Sequence, residues 1–195
     1  MKNAYHVDQA ALAIEREWIK EAKKDPKRFS PLYDRYFEAI FIFIYRRTAN
    51  EDLAADLCSG TFLKALQYLK RYEDRGLPFA AWLYRIASNE VNKYYRKTNK
   101  RMVFSLEESI VGKMLEEEES SLTEELTAEL SFHLAALSTT ELMILELRFF
   151  ESKGFKEIAY ILEITESAAK MRTYRAIDKL KGLFQTSKAP DHDKA

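Results

Sequence analysis

"FKEIAYILEITESAAKMRTYRAIDKL", residues 155–180, reads as two helices broken by a tight turn. In its first part Ile158, Ala159 and Leu162 share the inward side of a short amphipathic segment. Ile164 and Thr165 make the turn, and Thr165 is placed to cap a longer helix that begins at Glu166. On that helix Ala169, Thr173, Ala176 and Leu180 recur at i, i+4, i+7 and i+11, so they face the body of the domain. Ser167, Lys170, Met171, Arg172, Tyr174 and Arg175 occupy the remaining face. Short helix, turn, longer helix is the helix-turn-helix arrangement, whose second helix enters the major groove of DNA. Arginine pairs with guanine edges and either basic residue holds phosphate, so this outward face suits duplex DNA. A capped amphipathic helix with a solvated basic face is the plainer reading, and the short helix and turn ahead of it argue against that.

Immediately upstream, "LSTTELMILELRFF" (137–150) opens with Ser138 followed three residues later by Glu141, a capping box that starts a helix running to about Phe150. "ESKG" then interrupts the pattern. The same helical periodicity fills residues 8–100. "FSPLYDRYFEAIFIFIYRRTA" (29–49) places Leu32, Tyr36, Ile40, Phe43 and Ile44 on one buried side. "NEDLAADLCSGTFLKALQYLKRY" (50–72) carries a stripe of Leu53, Leu57, Thr61, Phe62, Ala65 and Leu69, with Asn50 as N-cap. "RGLPF" breaks the pattern, and a third helix begins near Phe79 with Phe79, Trp82, Leu83, Ile86 and Ala87 as its apolar side. Between the two blocks, "SLEESIVGKMLEEEESSLTEELTAE" (105–129) is acidic, lacks aromatics and reads as a linker. The expected organisation is a helical domain over 1–104, a linker over 105–129 and a second helical domain over 130–195.

Composition agrees with an all-α protein. The 195 residues include only five Gly and four Pro, too few to punctuate many strands and tight turns. Apolar residues make up 47% and aromatics 13%, enough to bury a core. Lys plus Arg and Asp plus Glu number 31 each, so net charge names no partner, and the uneven distribution of charge is what informs. One cysteine, Cys58, makes neither an internal disulfide nor a multi-cysteine zinc site, and it sits on a helix face that points to the core or an interface. The start of the chain has no long apolar run, which predicts a soluble, cytoplasmic protein with no membrane insertion. Residues 1–16 and the tail "SKAPDHDKA" are expected to fray.

"RIASNEVNKYYRK" (85–97) carries a second candidate surface. Arg85, Ser88, Asn89, Asn92 and Arg96 fall at i, i+3, i+4, i+7 and i+11, a polar stripe expected opposite Trp82 and Ile86. Lys93, Tyr94 and Tyr95 lie beside it. Basic groups that track a backbone and planar groups that stack on bases together suit single-stranded DNA. His6, His133 and His192 are scattered, and no HExxH, phosphate-cradling glycine loop or nucleophile motif is present. Glu141, Glu146 and Glu157 read as capping or solvated residues. No catalytic, metal or cofactor site is expected.

Taken in order, "FSPLYDRY", "ADLCSGTFLKAL" and "FAAWLYRIASNEVNKYYRK", then "LSTTELMILELRFF", "FKEIAYILEIT" and "ESAAKMRTYRAIDKL", resemble a bacterial RNA polymerase sigma factor of the extracytoplasmic-function (ECF) type. The resemblance implies a first domain that binds core RNA polymerase and opens the minus-ten promoter element, and a second that recognises the minus-thirty-five element as duplex. It places Asp56, Leu57, Thr61 and Phe62 on the polymerase-binding helix. Arg85, Asn89, Asn92, Lys93, Tyr95 and Arg96 fall where the family meets the melted strand. Ser167, Lys170, Met171, Arg172, Tyr174 and Arg175 fall on the helix that reads the upstream element. The implied partners are core RNA polymerase, promoter DNA and an anti-sigma factor. A stand-alone helix-turn-helix regulator and a helical protein-binding adaptor are the rival readings.

The sequence departs from the family pattern at Ser59 and Gly60, where Gln-Glu is usual, at Lys93 for Asp, at Glu163 for the glycine of the turn, and at Thr173 for Leu. Two promoter elements about two helical turns apart are separated by roughly 70 Å. A flexible linker of about 25 residues spans about 28 Å as a coil and roughly 85 Å extended. A partner must therefore hold the two domains apart, which polymerase would do.

Overall fold

The computed structural model describes residues 9–99, 132–134 and 136–187. The expected acidic linker lies outside the described residues, as do His6 and His192. The chain divides into two compact units, residues 1–105 with 160–163 and residues 106–159 with 164–195, and every regular element among the described residues is helical.

The first unit holds α1 (Gln9–Lys24), α2 (Ser30–Thr48), α3 (Glu51–Tyr68) and α4 (Phe79–Thr98), with short 3-10 turns at Pro26–Phe29 and Leu69–Arg71. Order begins earlier than the fraying expected for residues 1–16, because Leu12, Glu15, Ile19 and Ala22 give α1 a buried face. Asn50 caps α3 as its position predicts: its Oδ1 accepts the Leu53 N–H at 2.8 Å. Asn50→Ala is expected to lower stability by about 1 kcal/mol, read as a shifted urea midpoint at constant slope. The core is formed by Leu32, Ile40, Phe43 and Ile44 of α2, Ala54, Cys58 and Phe62 of α3, and Phe79, Leu83, Ala87 and Val91 of α4.

Cys58 is fully buried, and burial pushes its thiol up to about 12. The thiolate is therefore scarce near neutrality, and iodoacetamide is expected to label Cys58 only when the protein is unfolded. Rapid labelling of the folded chain would contradict this.

Helix α4 is rotated relative to the sequence expectation. Trp82 and Ile86 are only half-buried, while Ala80, Tyr84 and Ser88 join the core. The reason is that α4 packs against both α2 and α3, so its buried stripe widens to include a tyrosine whose ring meets Phe43 edge-on at 4.9 Å. Ser88, expected on the polar stripe, is 3% exposed.

Further along the chain, α5 (Thr139–Leu145) runs on into a π-helical turn over Glu146–Phe150, followed by α6 (Phe155–Leu162) and α7 (Glu166–Ser187). The capping box forms: Ser138 Oγ accepts the Glu141 N–H at 3.3 Å and Glu141 Oε2 accepts the Ser138 N–H at 2.7 Å. Lys179 donates to the same oxygen at 2.9 Å, pinning α5 to α7. Its ammonium, with the Ser138 N–H, holds the Glu141 carboxyl below the usual carboxylate range.

Of the other two glutamates, Glu157 caps a helix as expected and Glu146 departs from expectation. Glu146 and Glu157 are buried rather than solvated. The π turn is closed by Glu151 N–H on Glu146 O at 3.1 Å, and Glu146 is enclosed because this helix is buried on every side from Leu142 to Leu147. Glu157 Oε2 accepts the Gly154 N–H at 3.1 Å and so caps the start of α6. His133 is also buried, its ring 4.7 Å from that of Phe184.

Candidate protein and nucleic-acid interfaces

The helix-turn-helix closes as its sequence predicts. Thr165 Oγ1 accepts the Ala168 N–H at 3.1 Å and starts α7. Glu163, in the glycine position of the turn, adopts the left-handed conformation at φ 56°. That geometry costs a non-glycine residue about 1 kcal/mol and is held by the packed helices on either side. Ala169, Thr173, Ala176 and Leu180 are all buried. Thr173 fits in place of leucine because its hydroxyl donates to Ala169 O at 2.9 Å, so its own buried polar atom is satisfied.

Ser167, Lys170, Met171, Arg172, Tyr174 and Arg175 are all exposed on α7, so the structure brings the six candidates onto one outward face. Tyr174 is braced from behind. Its ring lies 6.3 Å from Phe155, and the Arg148 guanidinium sits 4.4 Å over the other ring of that pair. Arg148 also donates to Lys153 O at 3.2 Å, which fixes the stack to the loop before α6.

On α4, Asn89, Asn92, Lys93 and Arg96 are exposed. At about 100° per residue they and Arg85 fall within one arc of roughly 100°. Trp82 belongs to that same side, not the opposite one. It is half-buried, with its ring 4.9 Å from Tyr72 and 5.3 Å from Phe79. Its spacing of seven residues from Asn89 was the signal that could have placed it there. Tyr95 takes a different part: its hydroxyl donates to Arg47 O at 2.8 Å and ties the end of α4 to the end of α2. It anchors the helix from a half-buried position. An ion pair between Lys64 and Glu90 fastens α3 to α4.

The four candidates on α3 separate. Asp56 is exposed and Leu57 half-buried, but Thr61 and Phe62 point inward. Thr61 Oγ1 donates to Leu57 O at 2.8 Å, and Phe62 lies under Tyr33 and Phe37 with ring separations of 4.8 and 6.4 Å. What faces outward beside Asp56 is Ser59 and Leu63, the latter 56% exposed. Adjoining it on α2 is a ladder of rings, Tyr33, Phe37, Phe41 and Tyr45, spaced 5.2, 6.0 and 6.2 Å apart. Their i, i+4 repeat was visible in the sequence. It was obscured by the stronger apolar stripe of Ile40, Phe43 and Ile44 beside it.

Gly60 has open space where a Cβ would stand, with no atom within 4 Å. Gly60→Ala is thus expected to stabilise α3 by up to about 1 kcal/mol, measurable as a raised melting temperature.

Among the described residues no helix is long and apolar enough to cross a membrane, and no cluster of His, Cys, Asp and Glu could hold a metal ion.

Two sequence families match the chain. Residues 32–101 match Sigma-70 region 2, and residues 133–182 match Sigma-70, region 4. The chain is 31% identical over 158 residues to the ECF RNA polymerase sigma factor BldN of Streptomyces coelicolor, covering 80% of this chain and 60% of BldN. It is 30% identical over 153 residues to the RNA polymerase sigma factor YlaC of Bacillus subtilis, covering 77% of this chain and 88% of YlaC. Its fold is similar to that of the sigma factor RpoE of Bartonella quintana, solved in complex with the anti-sigma factor NepR. The TM-score is 0.60 at 21% identity, over 82% of this chain and 98% of that one. A DNA-suited α4 within the region 2 match, a helix-turn-helix over 155–180 within the region 4 match, and a sigma factor relative covered over most of its length agree: the chain belongs to the sigma-70 family, as an RNA polymerase sigma factor of the extracytoplasmic-function type.

Proposed function

We propose that this sigma factor acts in the cytoplasm, binding core RNA polymerase, directing it to particular promoters and helping to open them, while polymerase performs all the chemistry. The observation that carries this reading is the exposure of two DNA-suited helix faces, on α4 and α7, each in its own compact unit.

In the first unit, Asp56, Ser59 and Leu63 of α3 dock on polymerase, joined by Tyr33 and Phe37 of α2. Leu57 supports them from its half-buried place, and Thr61 and Phe62 hold the face rigid from below. On α4, Asn89 and Asn92 offer both donors and acceptors to unpaired bases. Arg85, Lys93 and Arg96 neutralise the backbone of the separated strand, and Trp82 supplies a ring edge for stacking. In the second unit, α7 lies in the major groove of the upstream element. Arg172 and Arg175 read base edges there. Ser167 and Lys170 hold phosphates, and Met171 and Tyr174 make the apolar contacts.

An anti-sigma factor that covers one of these faces would keep the protein silent. The likeness in fold to a sigma factor solved with such a partner supports that expectation. The rival reading as a stand-alone regulator would use α7 alone and leave the α4 face and the Leu63 surface without a task. In vitro run-off transcription separates the two. Core polymerase plus this chain is expected to initiate from a subset of fragments of a genomic library, with permanganate-reactive thymines at the start sites. Duplex binding without polymerase, and no initiation with it, would establish the regulator instead.

A further inference from the structure

The first N–H of α4 has no partner within its own helix or its own cap. The capping position is Pro78, which offers no side-chain hydrogen bond, and Phe79 N–H is one of the donors that no helical carbonyl can reach. The partner comes from 64 residues away. Glu15 Oε2, on α1, accepts the Phe79 N–H at 2.9 Å. Glu15 is 3% exposed. Its other oxygen accepts the Tyr36 hydroxyl of α2 and lies 3.8 Å from Arg35. Burial and then this bond to Glu15 raise the Tyr36 phenol above its ordinary range, so it stays a donor at any working pH.

A second tether joins the same two regions. Lys23 of α1 donates to Tyr72 O at 2.6 Å. The Tyr72 ring rests against Phe79 at 5.2 Å and Trp82 at 4.9 Å, on the first turn of α4. All of α1 lies ahead of the region 2 match, which begins at residue 32.

We propose that Glu15 is a positioning residue for promoter opening: by gripping the first N–H of α4 from α1, it sets the orientation in which Asn89, Asn92 and Arg96 meet the melted strand. This rests on the reading of α4 as the strand-capturing helix. A negative group at a helix N-terminus is favoured by the aligned peptide dipoles. Because the carboxylate is buried and bonded on both oxygens, it holds that terminus with little freedom to tilt. An apolar side chain of similar size would leave the buried Phe79 N–H without a partner and take from the half-buried Tyr36 hydroxyl its Glu15 acceptor.

The test compares Glu15→Met and Glu15→Gln holoenzymes with the unaltered one. The probe is fluorescent single-stranded DNA selected from a randomised pool by the unaltered holoenzyme, and polymerase affinity and melting temperature are measured alongside. Glu15→Gln keeps an acceptor for Phe79 N–H and is expected to bind the strand within about threefold of the unaltered protein, whereas Glu15→Met weakens it about tenfold, the effect of one charge-assisted hydrogen bond. Polymerase affinity stays unchanged in both.

Equal strand binding by all three would overturn the proposal. So would a parallel loss of polymerase affinity, since that marks a general loss of structure. Should Glu15→Met fail to fold, Tyr36→Phe removes one anchor of the carboxylate while keeping the ring. A selective loss of strand binding there supports the proposal and no loss sinks it. Failure of the unaltered holoenzyme to retain any strand would instead remove the reading of α4 itself, and the proposal with it.

Discussion

Leu63→Glu is expected to weaken binding of core RNA polymerase by about 2 kcal/mol, roughly thirtyfold, with no change in melting temperature. Leu63 is 56% exposed on α3, so replacing it removes nothing from the core. It introduces a charge on the outward side of α3, where a docked partner would leave that charge without water. Phe37→Ala, on the adjoining helix, is expected to act in the same direction through lost apolar contact. The comparison with Phe62→Ala is the informative one. Phe62 is 4% exposed, so truncating it would cost about 3–5 kcal/mol of fold stability and confuse unfolding with loss of binding. Titration of labelled protein against core polymerase measures the effect. Unaltered affinity in both Leu63→Glu and Phe37→Ala would show that the partner docks elsewhere.

Arg172→Ala and Arg175→Ala are each expected to weaken binding of the upstream promoter element by about 1–3 kcal/mol if they read bases, and to relax the preference at the base pair each one contacts. Lys170→Ala should behave differently. As a phosphate contact it would lower affinity evenly across sequences and reduce the steepness of the salt dependence by about one unit. All three side chains are exposed on α7, so the folded state tolerates their removal. Selection of randomised duplexes by the holoenzyme, repeated with each variant, separates the two classes. An unchanged preference in both arginine variants would move base reading to another part of the face, with Tyr174 and its support from Phe155 the next place to look.

The two candidate DNA faces differed in how clearly the sequence displayed them. On α7 the small residues Ala169 and Ala176 alternate with long polar ones, and only one helix face can be apolar under that pattern. The outward six followed without error. On α4 the pattern mixes Trp82, Tyr84, Ile86, Ser88 and Tyr95 with charged residues, and each of these types is stable either buried or at a rim. The spacing therefore left the buried arc open by about one residue's turn. Ser88 went inward, Trp82 came partly outward and Tyr95 became a tie to Arg47. On α3 the error was of another kind. Positions 61 and 62 lie in a segment to which only the family resemblance gave a role, and a resemblance marks a segment without saying which of its members face outward.

Local chemistry by itself determined the helical class, the starts of α3, α5 and α7 at Asn50, Ser138 and Thr165, and the paired helices that carry the reading face. These depend on capping geometry and on a period of 3.6, which are properties of a few consecutive residues. Only the tertiary structure decided which α3 side chains reach the surface, that α1 belongs to the folded unit, and that the first turn of α4 is held by a carboxylate from Glu15. Each of those depends on which neighbour a helix meets, and contacts between residues distant in the chain leave no period in the sequence for a reader to find.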